Sequence, residues 1–115
     1  MTVIYHLSTR VEWQAAAATG AYTTDSLVSE GFIHCSTAQQ VLATARRIFA
    51  GRTDLILLCV DSARVAPEIR YENLEGGDNL FPHIYGPLAV AAVVALHDFP
   101  ACDDGCFDWP PGLPL

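Results

Sequence analysis

The sequence contains no lysine and few basic residues of any kind. Its six basic residues are all arginines. The sequence has 13 acidic residues, which gives a formal net charge of −7. Such an acidic surface repels a phosphate backbone, so broad binding to nucleic acid is not expected. A small anionic ligand is still allowed, held locally by an arginine or by the N-terminus of a helix.

Long apolar segments are also absent. The longest run, PLAVAAVVAL, is about half of the roughly 20 residues that a membrane-spanning helix needs. The first residues, MTVIYHLS, lack the basic segment and apolar core of a signal peptide. We therefore expect a cytoplasmic protein without membrane association, with reduced cysteines. Three residues separate Cys102 from Cys106, one more than in the usual redox or zinc pair, and their pairing is left open.

What the chain does have is enough apolar material for a core. Hydrophobic residues make up 51% of its 115 residues and charged residues 17%, which excludes a disordered chain. No repeat, low-complexity stretch or linker interrupts it. The sequence therefore predicts one domain over residues 1–115.

Helices are predicted in the first half of the chain. The segment RVEWQAAAAT follows Thr9, which forms a capping box with Glu12, and Gly20 ends this helix. A short helix or turn covers TTDSLVSE. The apolar stripe of STAQQVLATARRIFAG predicts another helix, with Ser36 and Thr37 as candidate N-caps.

Strands dominate the rest of the sequence. VIYHLS, residues 32–34, the buried run LILLCVD and the half-exposed PEIRYENL are predicted strands. EGGDNLFPHIYGP is predicted as a loop, and the β-branched run LAVAAVVALHDF as a central strand. Early helices followed by strands predict an α+β class with a small mixed or antiparallel sheet and two to three helices.

Three of the four histidines lie in similar settings, at a strand or loop junction with hydroxyl residues nearby. They are His6 in YHLST, His34 in FIHCST and His83 in FPHIY. A neutral imidazole donates and accepts hydrogen bonds, and neighbouring hydroxyls fix its tautomer. We predict that the three rings meet at one pocket for a ribose, a phosphate or a metal ion. Their spacing matches no metal motif, so no metal ligand is assigned.

The segment FIHCST also places a thiol beside an imidazole. Adjacent strand residues point to opposite faces, so a pocket-facing His34 turns Cys35 toward the core and Ser36 toward the pocket. Ser36 and Thr37 are either helix caps or, at the first turn of a helix, phosphate ligands. Paired acids for acid–base chemistry are not evident; Glu30, Glu72 and Asp78 are candidates by location only, and Glu72 is expected on the outward face of an edge strand.

The motifs YHLST, EGFIHCST and LFPHIYGPL, spread over nearly the whole chain, resemble a small bacterial family catalogued as domain of unknown function 952. That family is similar in fold to the ADP-ribosyltransferase group, so the resemblance implies an ADP-ribosyltransferase-like split sheet around a cleft. In toxin-like members a histidine and a hydroxyl residue on the first strand hold the nicotinamide ribose of NAD. The resemblance gives His6 this role, with Ser8 or Thr9.

Tyr85 matches, by role, an aromatic residue that packs on nicotinamide in the same group. The catalytic glutamate of the group has no motif match here, and the resemblance places His83 in a comparable part of the cleft.

Two functions follow and both stay open. The first is a transferase or hydrolase acting on NAD, ADP-ribose or a related phosphorylated nucleotide, with NAD as substrate. Its candidate catalytic residues are His6, His34 and His83, and its candidate ligand-binding residues are Ser8, Thr9, Ser36, Thr37 and Tyr85. The second is a non-catalytic nucleotide- or metabolite-binding domain that keeps the pocket. A purely structural hydrogen-bonded network of these histidines is the remaining alternative.

Overall fold

The computed structural model describes residues 2–74, 76–111 and 113, and the elements are those of this part of the chain. Three α-helices are present: α1 (Arg10–Thr19), α2 (Asp25–Ser29) and α3 (Val41–Phe49). The eight strands are β1 (Val3–Thr9), β2 (Ala21–Tyr22), β3 (Ile33–His34), β4 (Leu55–Asp61), β5 (Ile69–Glu72), β6 (Phe81–Ile84), β7 (Leu88–Ala89) and β8 (Val93–Asp98). Every strand pairing is antiparallel, as an α+β class allows. None of the helices is long and apolar enough to cross a membrane.

The strands form two three-stranded sheets, β1-β4-β8 and β3-β6-β5, and a two-stranded pair, β2-β7. The central strand β4 is buried along all seven residues. Its alternate side chains enter two separate apolar clusters, with Ile56, Leu58 and Val60 in one and Leu55, Leu57 and Cys59 in the other. Burial on both faces explains why LILLCVD is apolar throughout rather than alternating.

The predicted signals around α1 are confirmed. The Thr9 hydroxyl accepts a hydrogen bond from the Glu12 N–H, and the Glu12 carboxylate accepts one from the Thr9 N–H, each at 3.1 Å. Gly20 ends the helix with φ of 87°, and its N–H donates to the Ala16 carbonyl. This capping box fixes the point at which β1 turns into α1.

The predicted caps of α3 are wrong. Gln40 stands at the N-cap position without a side-chain capping bond, and the helix begins at Val41. Ser36 is instead paired with Tyr5 through two backbone hydrogen bonds, while the Thr37 N–H donates to the Gln40 side chain at 3.0 Å. The pairing with β1 keeps the chain extended at Ser36 and delays the helix.

One loop prediction and one strand prediction are also wrong. The predicted loop EGGDNLFPHIYGP contains β6, the middle strand of its sheet, which Pro82 and the flanking turn residues conceal in the sequence. The predicted central strand LAVAAVVALHDF is divided into β7, one 3₁₀ turn (Val90–Ala92) and β8. β8 lies at a sheet edge and alternates between half-buried and exposed residues, because one of its faces packs on the protein and the other meets solvent.

Replacement of Gly20 by alanine is expected to destabilise the fold by about 1 kcal/mol, since the left-handed conformation is costly for a residue with a Cβ. A Cβ at Gly20 would meet no atom within 4 Å, so the cost is one of backbone conformation alone. Gly20→Asn should lose less, because asparagine tolerates this conformation better. Denaturant unfolding of both variants measures the difference, and an alanine variant as stable as the parent would contradict it.

Candidate functional site

A cavity of about 540 Å³ lies where β1, β3, β5 and β6 approach α3. His6, His34 and His83 all line it, together with Phe32 and Glu72. A cleft of this size suits a small organic ligand. The sequence motifs that carry the three histidines therefore do meet in space, whatever their roles.

The direction of these side chains follows from strand register. In the sheet β3-β6-β5, His34 pairs with His83, and His83 pairs with Arg70. Residues directly opposite each other point to the same face of a sheet, and neighbours along a strand point to the other. The adjacent row is made of isoleucines that pack in the core, Ile33, Ile84 and Ile69. Burial of the isoleucine row therefore turns the histidine row toward the cleft.

His6 is buried, and both of its ring nitrogens are bonded within the protein. Nδ1 lies 2.5 Å from the His34 carbonyl oxygen and Nε2 lies 2.8 Å from the Tyr22 hydroxyl. A carbonyl only accepts, so Nδ1 carries the proton. Desolvation lowers the pKa of His6, so the ring is neutral and Nε2 accepts from Tyr22. Neither nitrogen is left for a ribose, and His6 acts here by holding the His34 backbone.

His34 and His83 lie edge to face, with ring centroids 5.2 Å apart at 74°. Nε2 of His34 is 2.8 Å from Glu30, and both of these side chains are about half exposed. His83 is buried, and its Nδ1 is 3.0 Å from Oε1 of Glu72. Phe32 stacks on the His83 ring at 4.2 Å and 20°. Packing and a partly buried carboxylate thus hold the His83 ring, whereas the His34 ring is half exposed.

Glu72 is the residue that sequence reasoning placed wrongly. It was expected on an outward, solvated face, but its side chain is only 23% exposed and lines the cleft. Its Oε1 accepts hydrogen bonds from the Tyr85 hydroxyl and from His83. These two bonds, that of Tyr85 first, lower the pKa of Glu72 and keep it ionised. Glu72 lies two residues after Arg70, so the two side chains share a face of β5. Arg70 pairs with His83, which places Glu72 on the face of the sheet that carries His83.

The predicted ligand-binding residues are spread over several environments. Ser8 is fully buried, donates to the Thr9 carbonyl at 2.8 Å and lies outside the cavity wall. Thr9 and Ser36 do line the cavity. Thr37 lies in an adjoining polar cavity of about 520 Å³. Their contacts with a ligand remain predictions.

Tyr85 is not on the cavity wall. Its hydroxyl donates to Glu72, and the Arg70 guanidinium lies 4.5 Å above its ring. Hydrogen bonding to the carboxylate raises the pKa of Tyr85, so the hydroxyl keeps its proton. With one face of its ring covered by Arg70, Tyr85 holds Glu72 through its hydroxyl, and its contact with a ligand stays a prediction.

The basic side chains on the cavity wall are Arg47 and Arg52. Arg52 forms a two-point contact with Asp54 at 2.9 and 2.5 Å, which takes up part of its charge. Both arginines belong to α3 or to the chain just after it, opposite the sheet that carries Glu72. The cavity wall also carries the carboxylates of Glu12, Asp25, Glu30 and Glu72.

Cys35 does not have the properties of a nucleophile. It is buried, and burial raises the pKa of its thiol, which keeps the sulfur protonated. Cys102 and Cys106 are free thiols and form no disulfide with each other. Within the described ranges, no three histidine, cysteine or acidic residues stand close enough together to hold a metal ion.

Comparisons with known proteins identify relatives without an assigned activity. A family model described as protein of unknown function (DUF952) matches residues 7–96. A crystal structure of protein CC0527 from Caulobacter crescentus is 35% identical over 93% of this chain and 94% of that chain, with a TM-score of 0.84. The solution NMR structure of the same protein is 36% identical over 92% and 91%, with a TM-score of 0.81. Curated proteins gave no match.

The Tyr22 hydroxyl is expected to stabilise the fold through His6. Tyr22→Phe leaves the buried Nε2 of His6 without a donor and should cost about 1–2 kcal/mol of unfolding free energy. Tyr5→Phe is the matched control, because the Tyr5 hydroxyl forms no hydrogen bond with another residue in the described ranges. Equal stability of the two variants in denaturant titrations would contradict the assigned bond.

Stability should fall as the pH drops below about 6.5, the ordinary histidine value. The pKa of folded His6 is lowered, so the unfolded chain takes up the proton first. The contribution of neutral His6 to the free energy of unfolding is complete above the pKa of the unfolded chain. It is lost as the pH falls toward the lower pKa of the folded protein. Thermal unfolding between pH 7.5 and 5.5 measures this decline. His97→Gln should keep it and His6→Gln should weaken it; an unchanged slope in His6→Gln would refute the assignment.

Proposed function

Because the chain belongs to the DUF952 family, whose description assigns no activity, we propose its function from the cleft. The protein binds NAD, ADP-ribose or a related phosphorylated nucleotide, and it cleaves the bond between nicotinamide and ribose in NAD. The observation that carries this proposal is the meeting of His34, His83 and ionised Glu72 with the flat ring of Phe32 in one cavity.

The chemistry of the walls supports a ligand with unlike parts. The half-exposed ring of His34, backed by the buried rings of Phe32 and His83, gives an aromatic surface for a heterocycle. The carboxylate of Glu72 on the same wall favours a positive charge, such as that of the nicotinamide ring in NAD. Arg47 and Arg52 on the facing wall favour phosphate. A pyridinium dinucleotide combines these three features in one molecule.

The arrangement of the sheets supports an ADP-ribosyltransferase-like fold as part of the same proposal. Two separate antiparallel sheets, β1-β4-β8 and β3-β6-β5, meet at the cleft, in keeping with the split sheet that the resemblance implies. The catalytic glutamate of that group has no motif match in this sequence, and the carboxylate that Glu72 places on the cavity wall supports the proposal.

A non-catalytic binding domain is the second candidate, and a specific observation favours it. The polar atoms of the histidine cluster are already largely paired within the protein: both nitrogens of His6, one of His34 with Glu30, and one of His83 with Glu72. Such a network is stable without a ligand.

Incubation with NAD and chromatographic detection of nicotinamide tests the proposal, with calorimetric titration of NAD and ADP-ribose run in parallel. We expect nicotinamide release by the parent, a loss of at least about 100-fold in His83→Ala, and no change in His97→Ala. His97 lies on β8, outside the cavity wall.

Binding of NAD without release would support the binding domain instead. Absence of both binding and release would reject this ligand class.

A further inference from the structure

We propose that His83 is the general base of the cleft, and that Glu72 and Tyr85 are positioning residues that fix its tautomer and orientation. This assignment rests on the proposed function and adds to it the roles of two residues. It is carried by the contacts around one imidazole ring.

The His83 ring is held on several sides. Phe32 covers a face at 4.2 Å, the His34 ring meets it edge to face, and Glu72 binds Nδ1 at 3.0 Å. The side chain is only 6% exposed. A ring packed in this way cannot flip without breaking the bond to Glu72, so its remaining nitrogen keeps one direction.

That remaining nitrogen is available for chemistry. An ionised carboxylate only accepts hydrogen bonds, so Nδ1 of His83 carries a proton toward Glu72, and the form of the ring that acts as a base carries its lone pair on Nε2. In the described part of the chain, Nε2 has no protein partner, yet no buried side-chain nitrogen or oxygen there is left unpaired. Nε2 is therefore not buried, and the cavity is where His83 meets solvent.

Tyr85 fixes the carboxylate in turn. Its hydroxyl donates to the same oxygen, Oε1, that accepts from His83, so the two donors hold Glu72 in one rotamer. Arg70, which is opposite His83 in the strand register, covers the Tyr85 ring. The order Tyr85, Glu72, His83 is thus a chain of hydrogen bonds that ends at the cleft.

His34 lacks this support. Its partner Glu30 and its own ring are each about half exposed, and exposed ion pairs constrain side chains weakly. His6 has no free nitrogen. Of the three cleft histidines, His83 alone combines a fixed ring with an unpaired nitrogen among the described residues.

The reaction balances with water as the nucleophile. Nε2 of His83 takes a proton from a water molecule while the oxygen of that water bonds to C1′ of the ribose. The bond between C1′ and the nicotinamide nitrogen breaks, and its electron pair neutralises the pyridinium. The products are ADP-ribose, nicotinamide and one proton, which His83 passes to solvent.

Glu72→Gln keeps the shape of the side chain but removes its charge, and its amide both donates and accepts. We expect kcat for nicotinamide release to fall about 100-fold, with binding of ADP-ribose changed by less than about threefold. Tyr85→Phe should reduce kcat less, about tenfold. Glu68→Gln, on an exposed glutamate paired with Arg70 outside the cavity, is the matched control.

A second readout does not depend on turnover. Nitrogen NMR of His83 should show the Nδ1–H tautomer in the parent and in Glu68→Gln, and a mixture of tautomers in Glu72→Gln. Parent-like kcat in Glu72→Gln would overturn the assignment and leave the proposed function standing. Binding without turnover in the parent would also overturn it, and absence of both would reject the proposed function itself.

Discussion

The cleft depends on the junction that ties β1 to the chain after β3. Tyr5 and Ser36 exchange two backbone hydrogen bonds of 2.8 and 2.7 Å. The His6 ring donates to the carbonyl of His34, two residues before Ser36. The two three-stranded sheets share no strand, and these bonds join their edges, while residues of both sheets, such as Ile4 and Ile33, pack in one apolar cluster. These bonds also satisfy buried backbone groups that would otherwise be left without partners at the sheet junction.

Register in the second sheet is the next constraint. Core packing selects the isoleucine row, Ile33, Ile84 and Ile69, and the histidine row follows because strand side chains alternate. A slip of one residue in either pairing would turn His34 or His83 away from the cleft into the apolar core and turn an isoleucine toward the cleft. The free energy of burying aliphatic side chains therefore fixes the orientation of the polar ones, and the site needs no separate folding signal.

Local signals in the sequence were sufficient for some parts of this structure. The capping box at Thr9, the glycine stop at Gly20 and the buried strand β4 each depend on residues close together in the chain. The meeting of the histidines was also predicted, from similar motifs. Glu72 was not, because its face is set by pairing with β6, and β6 itself was concealed by Pro82. The role of Ser36 was missed for the same reason, since its partner Tyr5 lies 31 positions earlier in the chain.

The three histidines, similar in sequence, are chemically unequal in the fold. His6 is neutral and doubly bonded, so it contributes structure; His34 is exposed and loosely paired; His83 is fixed with one nitrogen unpaired in the described part of the chain. Identical residue types acquire different roles because burial and partners decide which nitrogen carries a proton and which is free. The proposed hydrolysis needs one atom, the unpaired Nε2 of His83, as its base, whereas a binding function needs no free nitrogen at all. Proton transfer from water to Nε2 of His83 is therefore the step that distinguishes the proposed hydrolysis from ligand binding alone.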